Sequence, residues 1–192
     1  MSQPSSALCS QTSKADPKPS ATSAAKAKPW LGPAPRVEKK GLYIFLWDTG
    51  TKGKFHWGLF IALSESSGIV FHQVVVAGGK NQLHLLMEKE DVLTSEGLLA
   101  ALKIGEIEDI NDEWIKAVEY CVRSAQVDSS YFEFTCRTWV LAVIYELADG
   151  GFIWLDPDWS KIWYIEEEAA RLARDAVAVE MQIVSQSQMI AL

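Results

Sequence analysis

The sequence predicts an α+β domain in which an antiparallel sheet is followed by packed helices. Two observations carry this. Between Gly41 and Ile107 short β-rich runs alternate with turn signals, whereas from Asn111 onward the apolar spacing switches from two to 3.6 residues. Strands first and helices afterwards is the layout of a sheet covered by helices, not of a parallel α/β repeat.

The elements follow in order. Gly41–Trp47 is a strand, closed by the turn sequence Asp48-Thr49-Gly50-Thr51-Lys52-Gly53. Lys54–Ala62 is a second strand, and Ser64–Gly68 turns it into a third at Ile69–Val76. Gln82–Met87 reads as a fourth, and Leu98–Ile107 as a fifth whose Leu/Ala content also suits a short helix. Trp114, Ala117, Val118, Cys121, Val122 and Ala125 then line one helix face. Cys136, Trp139, Val140, Val143, Ile144 and Leu147 line a second, which Gly150-Gly151 stops. A third helix starts near Asp156-Pro157 or Ser160 and turns Ile162, Ile165, Ala169, Leu172 and Ala176 inward.

Residues 1–36 are rich in Ser, Ala, Pro and Lys, with too little apolar surface to offset the entropy of ordering. The expected division is a disordered tail over 1–38 and one domain over 39–192. About 150 residues can bury roughly 68–70% of their unfolded surface, so no disulfide or metal staple is required. Residues 1–40 hold seven basic side chains against two acidic ones; the whole chain carries −7, so residues 41–192 carry −12. An acidic body repels phosphate backbones, and no nucleic-acid partner is expected. The N-terminus has no apolar signal core, and although it is poor in acids it has no arginine before Arg36. The longest apolar runs, such as Trp139–Tyr145, fall far short of the ~20 residues of a membrane helix. The expectation is a soluble, cytoplasmic protein with no cofactor, with organelle targeting by the tail left open.

Three cysteines, one of them in the tail, do not form a disulfide framework. Cys121 lies mid-helix in an apolar stripe, the place of a small buried hydrophobe. Cys136 falls in the first turn of its helix behind Thr135, a residue suited to capping. The unpaired N–H groups and positive dipole end there favour a thiolate. His56 and His72 lie on consecutive strands, and a turn centred near Ser66 makes them cross-strand or diagonal neighbours. A thiol nucleophile needs a base, and the base needs a partner that fixes its tautomer. His84, on the weaker fourth strand, reads as an ordinary sheet residue.

His56-Trp57-Gly58-Leu59-Phe60-Ile61 followed by Gly68-Ile69-Val70-Phe71-His72, with Cys136-Arg137-Thr138-Trp139-Val140 beyond, resembles the lecithin–retinol acyltransferase type of permuted papain-like proteins. It is similar also to fungal proteins of unassigned activity with an HWxLF strand, a following histidine and a CQTW-like helix start. The resemblance covers residues 41–150 and implies a circularly permuted papain-like arrangement. It implies Cys136 as nucleophile, His56 as general base and His72 as the orienting third group. The implied reaction is acyl transfer through a Cys thioester, as hydrolase or acyltransferase, on an acyl, ester or amide substrate. The group usually has Asn-Cys-Glu-His-Phe-like residues where this chain has Thr135–Trp139, and the lipid anchor of its membrane members is missing here.

Two other readings compete with it. One is a catalytically inactive binding or interaction module on the same fold. The other is a zinc site built from His56, His72 and Cys136, whose scattered spacing is unlike paired ligand motifs. Trp154, Trp159 and Trp163 are expected to pack the last helix onto the sheet, and Glu166–Glu168 to form a solvated face at that helix's start.

Overall fold

The computed structural model describes residues 32, 34–75, 83–127 and 133–190. The expectation of a disordered tail therefore falls, over residues 1–31, outside the described residues. Six strands form one sheet: β1 (Gly41–Asp48), β2 (Phe55–Ala62), β3 (Ser67–Val75), β4 (Leu83–Asp91), β5 (Leu98–Glu106) and β6 (Ile183–Gln186). Three helices lie between β5 and β6 in sequence: α1 (Asp112–Ser124), α2 (Cys136–Asp149) and α3 (Trp159–Val179). The strand order is β4-β3-β2-β1-β5-β6; every pairing is antiparallel except β5 with β6.

All three helices cover one face. Leu42, Ile44 and Leu46 of β1, Trp57, Leu59 and Ile61 of β2, and Phe71 of β3 meet Val118 and Val122 of α1 there. Val140, Val143 and Ile144 of α2, and Ile162, Ile165 and Ala169 of α3, complete the cluster. The opposite face has a smaller core of its own: Tyr43, Phe45, Phe60, Ala62, Val70, Leu98 and Ala101, joined by Val37 and Val92. The two centremost strands are thus covered on both sides, which is why β1 reads as an unbroken apolar run. Phe45 and Phe60 stack across the β1–β2 pair with centroids 4.2 Å apart.

The fifth strand is present over Leu98–Glu106: β5 is clamped between β1 and β6, and the pairing outweighs its helix-favouring composition. Other bounds differ from the expectation. β4 extends to Asp91 through Glu88-Lys89-Glu90, since its side chains are largely exposed and charge costs little there. β6 was not foreseen; four residues are too few to show a period. The ordered chain starts before residue 39: Val37 is only 2% exposed, and its N–H donates to Glu65 O. Arg36 pairs with Glu65 and so pins this entry to the β2–β3 turn. Lys103, nearly covered, bonds Glu38 and Glu106 and ties the same segment to β5.

Candidate functional site

The β2–β3 register places His72 opposite Gly58, which makes His56 its diagonal neighbour on the same face. His56 Nε2 and His72 Nδ1 are 3.0 Å apart. On its other side His72 Nε2 lies 2.9 Å from Glu88 Oε1, because β4 pairs with β3 so that Glu88 stands one diagonal away. Trp47, directly opposite His56 on β1, packs at a tilt of 42° against both rings, with centroids 5.6 and 6.1 Å away, and its indole N–H donates to Ser95 Oγ. Gly58 admits this packing: a Cβ there would stand 3.0 Å from the Trp47 ring and 3.2 Å from His72 Cβ.

The result is a chain of hydrogen bonds running from a half-buried histidine to an exposed carboxylate. With both rings neutral, His72 donates from Nε2 to Glu88 and accepts at Nδ1 from His56 Nε2, leaving His56 Nδ1 as an acceptor. The expected pairing of the two histidines is therefore present. Glu88 and Trp47 were not foreseen as partners. An acid opposite Val70 on the following strand was the available signal for Glu88, hidden because β4 was read as ending at Met87.

The His56 imidazole is pushed down to about 4, first by burial and second by the charge of neighbouring His72. Its ordinary value is ~6.5, so between there and 4 the unfolded chain takes up a proton that the folded chain refuses. Stability is thus fully present above pH ~6.5 and declines as the pH falls toward 4. The whole shift corresponds to about 3 kcal/mol, which partial exposure reduces to about 1–2 kcal/mol. Urea denaturation at a series of pH values is expected to show this decline, and His56→Gln, which cannot take up the proton, to flatten it. A slope unaltered in His56→Gln would assign it to other groups.

Cys136 is the first residue of α2. Thr135 caps the helix: its Oγ1 accepts from Thr138 N, and Thr138 Oγ1 accepts in return from Thr135 N. Arg137 pairs with Glu166 and holds this end of α2 against α3. Cys136 itself packs, half-buried, against the helix-side core. Lengthwise, the far end of α2 lies away from the histidines. Ile153, just past the far end of α2, sits against Gly105, level with Leu42 and Ile61 and away from His56.

Face by face, however, the groups part. His56 and His72 project with Trp47 toward the layer of Phe45 and Phe60, while Cys136 lies in the helix layer behind the sheet. Among the described residues no hydrogen bond joins Cys136 to either histidine. Nor, among them, does any group of three His, Cys, Asp or Glu side chains form a metal-holding arrangement. Cys121 is buried, as expected, and burial foremost pushes its thiol up. His84 is exposed on β4.

The tryptophan expectation is corrected in part. Trp159 stacks on Tyr145 at 5.3 Å, but Trp163 is half exposed and Trp154 is 86% exposed, so neither is a helix-to-sheet packing residue. Glu166–Glu168 lies mid-helix, because α3 starts at Trp159 behind the Asp158 cap. Glu168 accepts from Ser187 Oγ and Gln188 N and so fastens the chain after β6. No helix among the described residues is long and apolar enough to cross a membrane.

Comparison with family models, with curated proteins and with solved structures finds no match. The likeness to permuted papain-like proteins stands on the motifs alone, and what the coordinates add is the α+β layout.

Proposed function

We propose that this domain is a binding or interaction module rather than a working thiol enzyme. One observation carries the reading: the sheet stands between the Cys136 thiol and the His56–His72 pair. A base activates a thiol only within hydrogen-bond reach, at ~2.6–3.2 Å. Here His56 Nε2 is engaged by His72, and its ring packs with Trp47 instead. The His56–His72–Glu88 chain then acts as a clamp that holds β2, β3 and β4 in register on the face away from the helices.

The acyl-transfer reading remains the second one, favoured by the helix-start position of Cys136 and by a histidine pair built as a relay. In it Cys136 is the nucleophile, His56 the base and His72, with Glu88 behind it, the orienting group. A rearrangement carrying α2's first turn around the end of β2 would have to join them.

Iodoacetamide alkylation of Cys136, followed by peptide mass against pH, separates the two. For a binding module the rate profile is expected to superimpose in wild type and His56→Ala. A rate near neutral pH that drops on His56→Ala would overturn the proposal and favour the thiol enzyme.

A further inference from the structure

β4 is the outermost strand of the sheet, and among the described residues nothing hydrogen-bonds along its outer backbone from Leu83 to Glu90. Natural edges are usually blunted by brevity, proline, bulges or lysines. β4 has none of the first three: it is nine residues long, holds no proline and pairs with β3 in unbroken register from Leu83–Val75 to Asp91–Ser67. Its one lysine is Lys89. Leu86 and Met87, at 41% and 40% exposure, present apolar surface on its two faces. Next to them, Glu88 and Glu90 share a face with Leu86, the face that carries His72.

The order of side chains on that face decides what can add to it. A second copy of β4 pairing antiparallel about Met87 would set Glu88 against Leu86 and Glu90 against His84, desolvating carboxylates on leucine. An in-register parallel copy would set Glu88 on Glu88 and Glu90 on Glu90, a like-charge contact that destabilises directly opposed pairs. In the chain's own tail Lys26, Lys28 and Trp30 fall at alternate positions, but Pro29 between the last two lacks the N–H a paired strand donates, as does Pro19 after Lys18. An antiparallel strand with basic, basic and apolar side chains at alternate positions matches Glu90, Glu88 and Leu86 in turn.

We propose that the outer edge of β4 is a strand-addition site for an extended basic segment of a partner protein, its cations on Glu90 and Glu88 and its apolar side chain on Leu86. Backbone bonds to the open edge supply affinity and the alternating side chains supply selectivity. The proposal builds on the binding-module reading, yet its test does not involve Cys136. A His56-dependent thiol would sink that reading and leave this edge to be judged by its own result.

The probe is a short fluorescein-labelled peptide in which lysine, lysine and valine, in that order, alternate with threonines. Its binding to the full chain is followed by fluorescence anisotropy, beside a twin with glutamates for the lysines. Saturable binding of the lysine peptide alone is expected. It should weaken about tenfold in Glu88→Lys/Glu90→Lys and strengthen at low salt. Leu86→Thr, which places no charge beside the His72–Glu88 pair, should weaken it too, with unchanged far-UV circular dichroism as the folding control. Amide exchange should slow along Leu83–Asp91 when the peptide is bound. Absence of saturable binding, equal binding of the glutamate twin, or protection elsewhere than β4 would overturn the proposal. So would tighter binding after Lys14, Lys18, Lys26 and Lys28 are changed to Gln, which would make the chain's own tail the occupant. Sedimentation as a dimer that the peptide dissociates would assign the edge to a second copy.

Discussion

Trp139→Ala is expected to cost about 3–5 kcal/mol, enough to threaten the fold of the whole domain. Trp139 is the largest of the fully buried side chains, 2% exposed, and sits one turn after Cys136 in α2. It belongs to the cluster that joins α2 to the β1–β3 side of the sheet, with Leu59, Ile61 and Phe71 among its members. Alanine leaves a cavity that close-packed neighbours fill only in part, so lost transfer energy and lost contacts add. Thermal unfolding followed by circular dichroism should show a midpoint lowered by roughly 10 °C. Trp139→Phe, which keeps most of the volume, should recover much of the loss. A drop of only a degree or two in Trp139→Ala would mean that α2 is not seated by this residue.

Gly68→Ala is expected to destabilise by about 3 kcal/mol, although only one methyl group is added. Gly68 pairs with Ala62 on β2 and Glu90 on β4. A Cβ there would stand 2.0 Å from Ile61 O and 2.5 Å from the Phe60 ring. Since the nearer obstacle is backbone, relief requires β3 to move away from β2, and that movement shifts the register holding His56 beside His72. The variant should therefore lose both stability and the acid-side decline attributed to His56, measured by the same urea titrations. Unaltered stability would show that the hairpin end relaxes without strain.

Much of the fold was legible before any coordinate. Alternation located β1, β2 and β3 nearly to the residue, because each is bounded by glycine or serine turns that no strand interior accommodates. The 3.6 period located α1 and α2, and Thr135 before Cys136 marked where α2 begins. The neighbourhood of His56 and His72 was legible as well, since a hairpin with a known turn leaves few registers. Glu88 was hidden, because an edge strand can continue through charged residues that a buried strand could not hold. Trp154 and Trp163 looked like core from composition alone, and only their placement on loop and helix exterior exposes them.

What the sequence determined by itself is which residues share a face: His56 with Gly58 and Phe60, and Trp57 with Leu59 and Ile61. Which of those two faces the helices cover was left to the tertiary structure. Both sets are apolar because the central strands are buried on both sides, so the pattern carries no sign of inside or outside. The helix-side layer fills with Trp57, Leu59 and Ile61, whose branched and aromatic side chains interlock with those of α2 and α3. The histidines fall on the other side. That one binary choice, made by packing and not by local pattern, sets Cys136 apart from the residues its motif would pair it with.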